Sequence, residues 1–432
     1  MKTNTRLCQN MLIIFLLGWT FGLAARQALA QPPATTASLL TLDEARQIAR
    51  AHNRDLKTLR LNLQLAREKT QEARSKAWPQ INSSAGYTAH NKPMLPHGDQ
   101  EYADTHLTLE QTLFHLGIWA GIRAAKQYQK VEELAAERYE ETLDFLVTEA
   151  YLQILREQKG IDVLKELEKN TQDHLRDTQN FYAEGIVPKT DLLKTELALS
   201  QVQRDLLAAE NQQQKSWTMF KILLGVDLDQ AYQLQEVGAP PSISLEQPLS
   251  ELQQKALRRR ADLKKLMAER TYLENILQAY QSRHYPVISA FGSWDYTTNE
   301  SEYQEQSMTG GVRISWPLFA GFGISAQVAQ GRSQLSLNQV RRIELEAQIR
   351  KEVESAWLDI RKAGQDLETA QKEVAQAEEN LRITTELYKE SMATNTDVLD
   401  AQTLLAQARN HLNNARYDQI LAVQRLSLAT GD

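Results

Sequence analysis

Cysteine is nearly absent. The 432 residues contain one, Cys8, so no disulfide can form within the chain. Long apolar runs are missing too. The one candidate, Met11–Leu17, is too short to span a bilayer as a helix. With 24% charged residues and a mean hydropathy of −0.49, the chain is not a helical membrane protein. An excess of basic charge is also lacking: 49 Lys and Arg face 55 Asp and Glu, a net charge of −6, and nothing favours nucleic acid. The eight histidines (52, 90, 97, 106, 115, 174, 284 and 411) are scattered without metal-ligand spacing. A phosphate-binding loop is absent. Gly321-Phe322-Gly323 follows a strand-like stretch without a third glycine, and reads, like Gly117, as a flexible strand-to-helix joint. The chain is not expected to be an enzyme or to hold a cofactor or metal.

What is present begins with an export signal. Lys2 and Arg6 precede Met11–Leu17, and Ala28-Leu29-Ala30 fits a small-residue cleavage site, so residues 1–30 read as a secretory signal peptide. Cys8 leaves with it, so no cysteine lipid anchor remains. The segment carries three basic residues and no acidic one, so cleavage takes the net charge from −6 to about −9.

The remainder is written twice. Tyr182 matches Tyr388, Thr190-Asp191 matches Thr396-Asp397, and Leu224-Gly225 corresponds to Thr430-Gly431, each 206 residues apart. Trp78-Pro79 matches Tyr285-Pro286, and Leu113-Phe114 matches Leu318-Phe319. The halves are 31–225 and 251–432. Residues 226–250, with Pro240-Pro241 and Pro248, join them. Each half reads as a helix, a strand pair (about 80–114 and 286–319) and a long helical hairpin, with tips near 185–190 and 391–396.

The hairpins carry coiled-coil seams. Val353, Ala356, Ile360, Ala363, Leu367 and Ala370 alternate spacings of three and four, and Val398, Ala401, Leu405, Ala408, Leu412 and Ala415 do the same. Leu192, Thr195, Leu199, Val202 and Leu206 repeat the phase in the first half. No proline falls between Ile324 and Met392. At 1.5 Å per residue that helix would reach roughly 100 Å, enough to bridge a wide gap.

The strand pairs alternate. Ile81, Ala85 and Tyr87 share one face and Asn82, Ser84 and Thr88 the other; Ile288, Ala290, Trp294 and Tyr296 share a face, as do Met308, Val312, Ile314 and Trp316. A transmembrane barrel and a soluble sandwich share this period. The export signal favours the barrel. Four strands cannot close one, and an open edge is forbidden in lipid, so strands would be pooled between chains.

The ordered set resembles the TolC-type outer-membrane exit ducts of Gram-negative bacteria. The resemblance rests on the two-fold repeat, the strand pairs, Leu-Phe before each long helix, and the turns YAEGIVPKTDLL (182–193) and YKESMATNTDVLDA (388–401). It implies a mainly helical chain with four transmembrane β-strands, in a homotrimer that builds a twelve-stranded barrel and a periplasmic coiled-coil tunnel. It also implies partners: outer-membrane lipid, a periplasmic adaptor, and an inner-membrane pump or ABC exporter that supplies the energy. A periplasmic coiled-coil adaptor and a structural rod are the rival readings. An adaptor has one hairpin flanked by compact β domains, and a rod does not explain the strand pairs.

Carried across by motif, Asp397 and Asp400 fall at the tunnel entrance, with Asp191 and Tyr388 helping to hold it closed. Gly185, Ile186, Val187, Ser391 and Met392 form adaptor-facing tips. Ser391 stands where the second tip usually has glycine, and Ala393 where some members have a constricting arginine. For Asp397 the simpler reading is a helix-start acid favoured by capping and the dipole, and Asp191 fits it equally. Asp400 lies further in, and its counterpart in the first half is Lys194. If six tips ring an entrance, the two alternate around it.

Overall fold

A computed structural model describes residues 38–91, 101–238, 248–299 and 304–432. The signal segment and Pro240-Pro241 lie outside them. The elements run β1 (Ser38–Leu40), α1 (Leu42–His52), α2 (Arg54–Ser75), β2 (Gln80–Ala89), β3 (Glu101–Phe114), α3 (Leu116–Ala183), α4 (Lys189–Leu224), β4 (Tyr232–Leu234), α5 (Leu249–Arg259), α6 (Ala261–Ser282), β5 (Val287–Asn299), β6 (Gln304–Ser315), α7 (Gly323–Lys389) and α8 (Asn395–Thr430).

Two helices dominate. α3 has 68 residues and α7 has 67, each about 100 Å long. Shorter helices pack along them in two tiers. Beside the sheet the order across the layer is α2–α3–α6–α7; towards the hairpin tips it is α4–α3–α8–α7. The expected seam of the second half is buried: Val353, Ala356, Ile360 and Ala363 on α7 pack towards Ala422 and Ala429 at the far end of α8, and Val398, Ala401, Leu405 and Ala408 are buried nearer the turn. The seam of α4 is not covered equally. α8 lies between α3 and α7 and is enclosed from both sides, whereas α4 sits at the margin. Its outer residues Leu193, Leu197, Leu207 and Met219 are exposed, as are Leu337, Val340, Ile343 and Leu358 on the opposite margin, α7.

Between the tiers the chain breaks twice in the same way. α1 gives way to α2 at Asn53 (φ −58°, ψ 129°), and α5 to α6 at Arg260 (φ −56°, ψ 128°). Asn53 caps α2 through the Leu56 amide and donates to the Leu223 carbonyl. Arg260 is buried and meets Asp262 at 2.6 Å and Glu352 on α7. Against each break ends a long-hairpin helix, closed by Gly225 or Gly431, both at φ 73°. A Cβ on Gly225 would sit 2.3 Å from the His52 carbonyl oxygen, so only glycine fits that approach. The largest apolar cluster gathers here around Leu56, Leu143, Tyr151 and Phe220. The Tyr151 hydroxyl lies 2.9 Å from the Leu40 carbonyl oxygen and 2.6 Å from that of Gln235, and burial pushes it up to about 12. β1 and β4 pair in parallel beside it, Ser38 with Tyr232. The expected linker at 226–250 is therefore partly a strand that returns to the first described residues.

The four longer strands form one antiparallel sheet, ordered β2–β3–β5–β6. Register aligns the apolar positions on a single face. Leu107 sits opposite Ser83 and Trp294, Trp294 opposite Met308, Ala290 opposite Val312, and Ile288 opposite Ile314. Met308 is 85% exposed, and Ile81, Val312 and Ile314 are exposed too. The other face is polar. Asp104, His106 and Asp295 lie side by side there, with the His106 ring nitrogens 2.9 and 2.6 Å from the two carboxylates. Gly86 leaves room for the Asp104 side chain.

Candidate functional site at the hairpin tips

The two hairpins end in the same turn. Gly185 and Ser391 donate to the carbonyls of Tyr182 and Tyr388 at 3.0 Å, and Ile186 and Met392 to those of Phe181 and Leu387 at 2.8 Å. This 6→1 closure satisfies the last helical carbonyls and requires a left-handed residue after the cap. Gly185 supplies it at φ 75° without strain, whereas Ser391 adopts φ 59° with a side chain. The departure from glycine thus leaves the turn intact and stores local strain in the second tip. Ile186 and Met392 project at equivalent places and are exposed; Val187 is half-buried.

The acids then separate by role. Thr394 caps α8: its hydroxyl accepts from the Asp397 amide, while its own amide and hydroxyl donate to the Asp397 carboxylate at 2.8 and 2.7 Å. These bonds hold Asp397 below its ordinary carboxylate value. The helix-start reading of Asp397 thus describes its local geometry, with Thr394 as the cap. Asp400 is exposed and makes no hydrogen bond or ion pair with any described residue. Within the chain Lys194 does not turn to Asp400. It lies 3.8 Å from Asp191, one helical turn away, and 3.3 Å from the Thr396 hydroxyl.

Beneath the surface the tips are tied by residues that the sequence reading passed over. Asn395, the first residue of α8, is buried against the first hairpin. Its Nδ2 donates to the Asp191 carbonyl and to Thr195 Oγ1, both at 3.1 Å. That leaves Oδ1 as the acceptor, 2.6 Å from His174 Nε2. Tyr388 meets His174 edge-on at 5.3 Å and Phe181 at 6.0 Å. Burial drives His174 below its ordinary value, while the Asn395 bond and Asp177 pull the other way. Of this group only Tyr388 and Asp191 were expected at the entrance. Asn395 and His174 gave little signal: 221 residues separate them, and neither fits an apolar seam.

Among the described residues no group of His, Cys, Asp or Glu is placed to hold a metal ion, and no helix is long and apolar enough to cross a membrane. A sheet with one exposed apolar face, carried on helices about 100 Å long, is the build of an outer-membrane channel with a periplasmic extension. The chain belongs to the outer membrane efflux protein family, whose model matches residues 45–226 and 252–432. It is 23% identical to the outer membrane protein TolC of Vibrio cholerae serotype O1 over 377 residues, covering 84% of each chain. It is 22% identical to the proteases secretion protein PrtF of Dickeya chrysanthemi, covering 75% of this chain and 72% of the relative. The fold matches the Campylobacter jejuni CmeC outer membrane channel with a TM-score of 0.79 at 18% identity, covering 96% of this chain and 93% of that one. The protein is an exit duct for efflux or secretion in the outer membrane, in a family of channels rather than enzymes.

Proposed function

We propose that the duct is a homotrimer in which each duplicated chain contributes four strands to a twelve-stranded barrel and two helical hairpins to a tunnel gated at its tips. One observation carries this reading: among the described residues the protomer is open on both margins, with the outer edges of β2 and β6 unpaired on a sheet whose apolar face is exposed. In a bilayer an unpaired edge costs several kcal/mol per group, so neighbouring copies must close it. The apolar outer faces of α4 and α7 repeat the argument in the helical tiers. They lie on opposite margins, as a head-to-tail ring requires. Three copies is the number that the family resemblance implies. Light scattering of the detergent-purified protein should give three times the mass of the mature chain. A stable, folded monomer would overturn the assembly.

The tips are the surface on which a periplasmic adaptor docks, joining the duct to an inner-membrane pump or ABC exporter. Ile186 and Met392 support this, as exposed apolar side chains at the far end of both hairpins. Photocrosslinking residues placed there, rather than at the left-handed Gly185 and Ser391, should capture a periplasmic protein in cells. Crosslinks obtained only from position 238 in the linker would show that docking lies elsewhere. In the closed entrance, Asp397 and Asp400 from three chains supply an acidic ring, with Asp191 and Tyr388 packed behind it. Lys194 of one protomer faces Asp400 of the next.

A further inference from the structure

We propose that His174 is a proton-operated latch: its neutral ring ties the start of α8 to the first hairpin, and protonation releases it, so the tips separate as the pH falls. The inference rests on the gating reading above and names its control.

The geometry fixes the starting state. Both Asn395 Nδ2 hydrogens are engaged by the Asp191 carbonyl and Thr195 Oγ1, so Oδ1 can only accept. His174 Nε2, 2.6 Å away, must then carry the hydrogen, and one ring hydrogen suffices. Protonation adds a second at Nδ1 and a full charge, at a side chain that is 7% exposed. The groups around the ring offset that cost only in part. Asp177 on α3 favours the charge without forming an ion pair, and Asp191 on α4 acts on the neighbouring Tyr388. Thr195 comes from α4, Tyr388 presents an aromatic ring from α7, and Asn395 is the contact from α8. A buried unpaired charge is relieved by moving the ring into water, which breaks the bond to Asn395.

The direction follows from linkage. Burial holds His174 below its ordinary value in the closed tip, and the released ring returns to about 6.5. The open form therefore binds more protons. The closed tip keeps its full stability above about pH 6.5 and loses it as the pH falls from there to the lowered value. Each latch shifts the closed-to-open ratio by up to about tenfold per pH unit in that window. Asp397 does not share in this, because its bonds to Thr394 keep its carboxylate charged well below the window.

The test uses the full, detergent-purified protein with spin labels at Ile186 and Met392, one on each tip. Distances are read by double electron–electron resonance at pH 7.5 and 5.5, with conductance recorded in planar bilayers. The unsubstituted latch should widen and its open fraction rise several-fold at pH 5.5. His174→Gln keeps an N–H for Asn395 but takes no proton, and should read the same at both pH values. Asn395→Ala lacks the acceptor and should show the acidic spacing already at pH 7.5. Equal spacing at both pH values in the unsubstituted latch, or an unaltered acid response in His174→Gln, overturns the proposal. If that spacing is equal while Asn395→Ala still raises conductance, the bond is a static tie and the gating reading stands. Acid widening of the unsubstituted latch but not of His174→Gln, with conductance unchanged throughout, supports the latch and removes the gate.

Discussion

Leu107→Arg is expected to abolish accumulation of the protein in the outer membrane, whereas Thr108→Arg, one residue along, should be tolerated. Leu107 lies in the middle of β3 on the exposed apolar face, opposite Trp294. Thr108 points to the polar face, between Asn82 and Ser293. An arginine facing lipid near the bilayer midplane costs about 2–4 kcal/mol, while a lumen-facing one stays in water and alters selectivity instead. In the proposed trimer, the lipid-facing change costs about 6–12 kcal/mol per assembly. That is comparable with the whole stability of a folded domain. Membrane fractionation and heat-resistant trimer on a gel would measure both variants. Equal recovery of the two would mean that the apolar face does not meet lipid and that the sheet is buried some other way.

Asp400→Lys should raise the open fraction of the channel, and Lys194→Asp added to it should restore closure. Asp400 has no partner among the described residues of its own chain, while Lys194 is exposed and only loosely held, by Asp191 and Thr396. Both are therefore available to a neighbouring protomer. An exposed pair contributes about 0–1 kcal/mol. Three pairs broken together amount to at most about 3 kcal/mol, roughly a hundredfold in the closed-to-open ratio. Replacing attraction by repulsion at all three adds to this, and the double swap removes it. The effect should shrink in high salt, because exposed charges are screened. Single-channel recordings of the two variants decide the matter. An unchanged open fraction in both would leave Asp400 as an ordinary surface acid.

Much of the architecture was legible because it is periodic. Alternating three and four spacings place Val353 to Ala363 and Val398 to Ala408 on single faces, and the structure buries both stripes. Two-residue alternation put Ile81, Ala290, and Val312 with Ile314 on the apolar face of their own strands, and the register brings those faces together. Periodicity is a local property, fixed by 3.6 residues per helical turn and two per strand repeat, so it survives without knowledge of the neighbours. The tips were legible as breaks in those periods, flanked by matching residues 206 apart.

Other features depended on which elements meet. The seams of α4 and α8 are alike in sequence, yet α8 is enclosed and α4 is left at a margin, because only α8 lies between two long helices. The pairing of β1 with β4 joins Ser38 to Tyr232 through segments with no strand pattern of their own. The helix breaks at Asn53 and Arg260 fall at unrelated residues, one a neutral cap and the other a buried cation held by Asp262 and Glu352. The His174–Asn395 tie required the end of one hairpin to lie against the start of a helix in the other. The sequence by itself determined which face of the long helices and of the strands is apolar and where the hairpins turn. Only the tertiary structure decided which polar residues share a buried space, because a hydrogen bond needs two groups placed within about 3 Å, and no local period specifies that over 221 residues.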